Sequence, residues 1–147
     1  MKIRTSFAAA GAVALLGAGA LVLPAVASAS SATHTLKFIS VTKKSIMFTK
    51  TTGAQQDTDV NAAGKTVGFD MLYFAATSAT SAAVNITGAL SGGFLYGTGT
   101  VNIKTGAFSN GKVTGGTGSF AGATGTIKAK QLNATGTRTA VTITYST

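Results

Sequence analysis

From residue 33 onward, apolar and polar residues alternate in short runs, and Gly or Asn interrupts them at roughly the 8–12-residue spacing of a sandwich or barrel. Reading the apolar runs between turn signals predicts strands near Thr35–Val41, Ser45–Lys50, Lys65–Ala76, Ala82–Leu90, Gly93–Ile103, Ala107–Thr114, Gly125–Asn133 and Gly136–Tyr145. The only long connection is Thr51–Gly64, TTGAQQDTDVNAAG, read here as a loop. Eight strands joined mainly by short turns predict an all-β fold, an eight-stranded antiparallel closed barrel. Such a barrel has no exposed edges and has room for one small ligand. A β-solenoid would need repeats at a fixed period, and the recurring Thr-Gly pairs are irregularly spaced. Within Val67–Phe74, VGFDMLYF, both parities are apolar, which predicts that this strand is covered on its outer face as well.

The first residues follow a different pattern. Lys2 and Arg4 precede an uncharged run from Phe7 to Leu23, closed by Pro24 and the small-x-small triplets Ala25-Val26-Ala27 and Ala27-Ser28-Ala29. These are the parts of an export signal. The expectation is a signal helix over residues 1–29, cleaved after Ala27 or Ala29, followed by one domain over 30–147 in a secreted protein. No later run is long and apolar enough to suggest stable membrane insertion.

Composition narrows the chemistry. Twelve basic residues stand against three acids and no Glu, a formal charge of +9. Loss of Lys2 and Arg4 with the signal would leave ten against three, or +7. The lysines are scattered and only Lys43 and Lys44 are adjacent, so they do not form the concentrated patch of a nucleic-acid binder; they suit solubility and the guarding of strand edges. Without cysteine, disulfides, thiolate catalysis and Cys-ligated metal centres are excluded.

The glycine cluster Val113–Gly122, VTGGTGSFAG, is open to two readings. A dinucleotide site needs a helix after the glycines and an acid about 20 residues further on. The chain continues as glycine-broken alternation, and no acid follows Asp70. The cluster is therefore read as a structural corner, with glycines at positive φ and Phe120 plugged beneath them. Gly115, Gly116, Thr117, Gly118, Phe120, Gly122 and Gly125 together resemble the signature of the allene oxide cyclase-like barrel superfamily, which includes plant dirigent proteins and dirigent-like bacterial proteins. Ala63–Gly68, Gly97–Val101 and Thr137–Tyr145 are similar to flanking segments of that family, so the resemblance spans residues 34–146. Where the family commonly carries Arg, this chain has Thr124. The resemblance implies an eight-stranded barrel, often trimeric, with a largely apolar cavity and cofactor-free cyclase or isomerase-like chemistry.

Few residues can exchange protons. Asp57 and Asp59, placed together in the expected loop, are read as turn formers, and His34 as a solvated residue near the mature N-terminus. Asp70 is the first candidate, because a lone carboxyl within VGFDMLYF either lines the barrel or pairs with a base such as Arg138. Inside, against apolar walls, its pKa should rise. Tyr96 is the second candidate; as with Tyr73, the competing reading is a core or rim residue. Strict alternation puts Asp70 and Tyr73 on opposite faces. Two functions follow: a barrel that binds a small apolar or phenolic molecule and steers its cyclisation or coupling, or a non-catalytic secreted ligand-binding or envelope barrel.

Overall fold

The computed structural model describes residues 32–147; the expected signal segment, residues 1–29, lies outside the described residues. Eight strands follow in order: β1 (Thr33–Met47), β2 (Thr52–Val60), β3 (Thr66–Ala76), β4 (Ser81–Leu90), β5 (Gly93–Asn102), β6 (Phe108–Gly116), β7 (Thr124–Gln131) and β8 (Arg138–Ser146). Each pairs antiparallel with its neighbour, and β1 pairs with β8 from Thr33–Ser146 to Val41–Arg138, closing the barrel.

The expected eight-stranded closed barrel is present, with two corrections near its start. Thr35–Val41 and Ser45–Lys50, read as two strands, belong to one long strand, β1, with a bulge between Thr42 and Lys44. The segment Thr51–Gly64, read as a loop, contains β2. Its sequence, TGAQQDTDV, has no large apolar residue except Val60, so a search for apolar runs passes over it. Alternation is intact, but the inward set is Gly53, Gln55, Asp57 and Asp59. Polarity alone therefore hid this strand, and the count of eight survived because one error added a strand and the other removed one.

One end of the barrel is packed shut. Leu95, Val113, Phe120, Ala123, Ile127, Ile143 and Tyr145 form its buried cluster. Phe120 comes from the VTGGTGSFAG corner, where a single 3-10 turn, Gly118–Phe120, crosses the end of the barrel between β6 and β7. Its ring meets Tyr145 edge-on, with centroids 5.6 Å apart. The corner is tied to the β4–β5 turn: Thr117 N donates to Phe94 O at 2.8 Å, Phe94 N to Thr117 Oγ1 at 3.0 Å, and Ser119 N to Gly92 O at 2.9 Å. Gly118 takes φ 59° and Gly122 φ 76°, the left-handed region in which a glycine costs least.

On the outer face of β3, Val67, Phe69, Met71 and Tyr73 are 38–58% exposed, although Phe48 stacks against Tyr73. The outward parity read from the sequence is correct, but the cover it implied is not supplied by the described residues.

Replacing Phe120 with Ala should lower stability by about 3–5 kcal/mol, because the collapsed end cannot refill the volume of the ring. Chemical denaturation measures it, and a loss below about 1 kcal/mol would show that the corner does not plug the barrel.

Candidate functional site

Toward the other end the interior is open. A cavity of about 450 Å3 is walled mainly by apolar side chains, among them Phe38, Leu72, Phe74, Val84 and Val141. Its mouth is bordered by Met47, Lys50 and Thr51 beside Ala76, Ile103 and Gln131, residues at or near the turns opposite the Phe120 plug. This volume falls within the usual range of small-ligand sites.

The polar exception on this wall follows from strand register. Asp57 on β2 is paired directly with Asp70 on β3, and Asp70 in turn with Gly88 on β4. One pleat along, Ser40 on β1 is paired with Asp59 and Asp59 with Gly68. Every acid in the sequence thus lies on one patch of the barrel interior. A Cβ at Gly68 would crowd Leu90 Cδ2 at 2.6 Å and Ala89 O at 2.7 Å and stand 3.3 Å from Asp59 Oδ2, whereas one at Gly88, which lines the cavity, would meet nothing nearer than Leu95 O at 3.8 Å.

Asp57, Asp59 and Asp70 are 4%, 0% and 9% exposed. Ser40 Oγ, with one proton, donates to Asp57 Oδ2 at 2.8 Å and lies 3.1 Å from Asp70 Oδ2. Gln55 Nε2 donates to Asp57 Oδ2 at 2.9 Å and to Thr42 Oγ1 at 3.1 Å. Burial in apolar surroundings, followed by the charges of Asp59 and Asp57, pushes the Asp70 pKa up to about 8. Burial also raises Asp59 to about 6, against a hydrogen bond from Asp70 that favours its charged form. Burial therefore favours a proton held on the Asp59–Asp70 pair toward neutral pH. The two form one acid-base unit that loses its protons in two steps.

The sequence-level candidates are placed as follows. Asp70 lines the cavity, as its inward reading required. It is not paired with Arg138, which is exposed at the start of β8; among the described residues Asp57 and Asp70 accept hydrogen bonds from Ser40, and Asp57 also from Gln55. Tyr96 borders the cavity along β5, but it stands between the buried Leu95 and Gly97, at a bulge, and is 37% exposed. Register places it in the outer row with Thr87 and Met71. Tyr73 is likewise on the outer face, where it stacks with Phe48 at 6.4 Å, and His34 stacks on Tyr145 at 5.3 Å. Asp57 and Asp59 are the residues that sequence reasoning misplaced: a turn assignment kept them away from Asp70, whereas β2 brings all three together. The available signal was the period-two spacing of Gln55, Asp57 and Asp59. Among the described residues no three His, Cys, Asp or Glu side chains are arranged to hold a metal ion.

No family profile matches the chain, and no curated protein does. Among solved structures, pyocyanin demethylase superposes with a TM-score of 0.63 at 18% identity, covering 76% of this chain and 99% of that one. The two share the barrel fold. At this identity the likeness extends no further.

The acid pair makes stability depend on pH. A carboxyl whose folded-state pKa is raised binds more protons in the folded chain than in the unfolded one, so its contribution is complete below about pH 4 and is lost as pH rises through about 6 for Asp59 and about 8 for Asp70. Stability should fall between pH 4 and 8 and level off above. Asp70→Asn should flatten the upper part of that slope and stabilise the protein at pH 9 by on the order of 1 kcal/mol or more. Denaturation curves across this range test it, and a wild-type profile that rises from pH 4 to 8 would contradict the burial of the pair.

Proposed function

We propose that this chain is a secreted dirigent-like or allene oxide cyclase-like barrel. It holds one small, largely apolar or phenolic molecule in its cavity and steers that molecule's cyclisation or coupling without a cofactor. The observation that carries this reading is the pairing of an unfilled, mainly apolar interior with a buried Asp70 on its wall, where burial raises the carboxyl's pKa. The apolar wall holds the reactive body in one conformer and limits water. Asp70 supplies a proton to a basic or developing oxyanion centre, and Asp59 stabilises the proton's return. The VTGGTGSFAG corner supports the family resemblance, and a structural neighbour named as a demethylase supports a barrel that handles small molecules. A purely structural barrel would be better served by a packed interior, yet Phe94, which could have filled it, is 47% exposed outside.

The homo-oligomer implied by the resemblance is placed on the bare face of β3. Rows Phe69–Ala89–Phe94 and Met71–Thr87–Tyr96 run across β3, β4 and β5 without a charged residue. A self-association surface of this kind would account for their exposure.

The neutral fluorophore N-phenyl-1-naphthylamine should bind saturably, and Gly88→Val, which projects carbon into the space beside Asp70, should weaken it at least about tenfold. Asp70→Asn should retain that binding while abolishing turnover found in a screen of polyunsaturated epoxides and phenolic radicals. Absence of probe binding, or binding indifferent to Gly88→Val, would refute the cavity assignment; turnover undiminished in Asp70→Asn would refute the acid. Light scattering on the double substitution Phe69→Lys with Met71→Lys should report a monomer where the wild type is larger, and a monomeric wild type would remove the oligomer from the proposal.

A further inference from the structure

The charges of this protein are sorted between its two sides. The sequence holds three acids, and all three line the barrel interior. Of the basic residues among those described, Lys50 alone borders the cavity, and it does so at the exposed mouth. Four carboxyl oxygens are buried without a hydrogen-bond donor among the polar side chains around them: Asp57 Oδ1, Asp59 Oδ1 and Oδ2, and Asp70 Oδ1. One shared proton between Asp70 and Asp59 answers part of this deficit. It leaves the cluster short of donors and of positive charge.

Buried carboxylates are ordinarily paired or hydrogen-bonded, since desolvation costs several kcal/mol for an unanswered ion. Two carboxyls placed directly opposite across an antiparallel pair add mutual repulsion. The sequence contains ten basic residues beyond position 29, any of which could in principle have been set inward, yet the neighbouring inward positions are the uncharged Ser40, Gln55, Gly68 and Gly88. A site that keeps this cost, next to a cavity able to admit a molecule, is complementary to a ligand that brings the missing charge.

We infer that the ligand carries a protonated nitrogen, so that the cavity selects small organic cations whose apolar body fills the barrel and whose cationic group sits on Asp57 and Asp70, with the fully buried Asp59 adding its charge from behind. This rests on the reading of the cavity as a small-molecule site and names the class of molecule it takes. An ammonium donates to several acceptors at once, as the cluster requires, whereas an alcohol or a phenol offers a single proton. A metal ion is a poorer fit, because it needs several ligands gathered around one point and no three acid, His or Cys side chains among the described residues are so arranged, whereas an ammonium can reach separate carboxyls through separate N–H groups. An anionic ligand such as a fatty acid would meet like charge in a medium of low dielectric. The basic outer surface does not reverse this preference, because the Debye length at physiological salt is about 8 Å while the carboxyls act at contact.

Displacement of N-phenyl-1-naphthylamine at pH 7 by three molecules sharing one apolar body tests the inference: 2-naphthylmethylamine as the cation, 2-naphthylmethanol as the neutral form and 2-naphthoate as the anion. The amine should displace the probe at a concentration at least about tenfold below that of the alcohol, and the naphthoate should be the weakest of the three. Isosteric Asp57→Asn and Asp70→Asn should each narrow the gap between amine and alcohol. In the wild type alone, the gap should widen from pH 5 to pH 8 as Asp59 and Asp70 ionise while the amine stays charged. The other titratable residues bordering the cavity are Asp57, Lys50 at the mouth and Tyr96 in the outer row. Equal displacement by amine and alcohol, or a preference for naphthoate, overturns the cation while leaving the cavity assignment in place. Failure of the neutral probe itself to bind overturns both.

Discussion

Closure of the sheet is the constraint on which everything else depends. Pairing of β1 with β8 removes both edges of an eight-stranded sheet, and only then do alternate residues acquire an inside and an outside. The long β1 makes this possible, because it pairs with β8 along its first part and with β2 along its second, overlapping at Ile39–Val41. The corner at Val113–Gly122 then closes one end with Phe120, leaving the other for a cavity. Stability and binding space are thereby divided along the barrel axis: the buried cluster holds one end together, and the middle and mouth remain open.

The carboxyl cluster uses the stability that the plugged end supplies. Three acids in an apolar enclosure oppose folding through desolvation and through each other's charge, and Ser40 and Gln55 offset only part of that cost. The same desolvation raises the pKa values of Asp59 and Asp70 and favours a proton held on the pair, as an exposed aspartate would not. The proton-holding capacity of the site and its cost in stability are two consequences of one burial. The glycines opposite Asp59 and Asp70 reinforce this by keeping the neighbouring wall clear of side chains that would fill the space.

Most strands were readable because their inward residues are apolar: Leu72 and Phe74, Val84 and Ile86, Val141 and Ile143 each mark a core-facing parity. The corner was readable from glycine spacing around one aromatic residue, since few backbone conformations need so many glycines. β2 escaped because its inward residues are polar, and hydrophobic periodicity carries no information where the interior is itself polar. Functional positions are where such a local rule is expected to fail. Asp70 could be singled out as a lone acid in an apolar strand, but its partners could not, because the element bearing them had been taken for a turn.

The sequence by itself determined the all-β class, six of the eight strands from β3 to β8, and the glycine corner, because period-two alternation and turn chemistry are local properties of the chain. Tertiary structure decided which acids meet. Asp57 and Asp70 become neighbours only through the β2–β3 register, and Ser40 joins them only because the β1 bulge sets β1 against β2 as it does. It also decided that Tyr96 stands in an outer row and that the interior stays open, since both depend on barrel closure and on which residues face one another across it. Register and closure arise from contacts between distant segments, which no local pattern encodes.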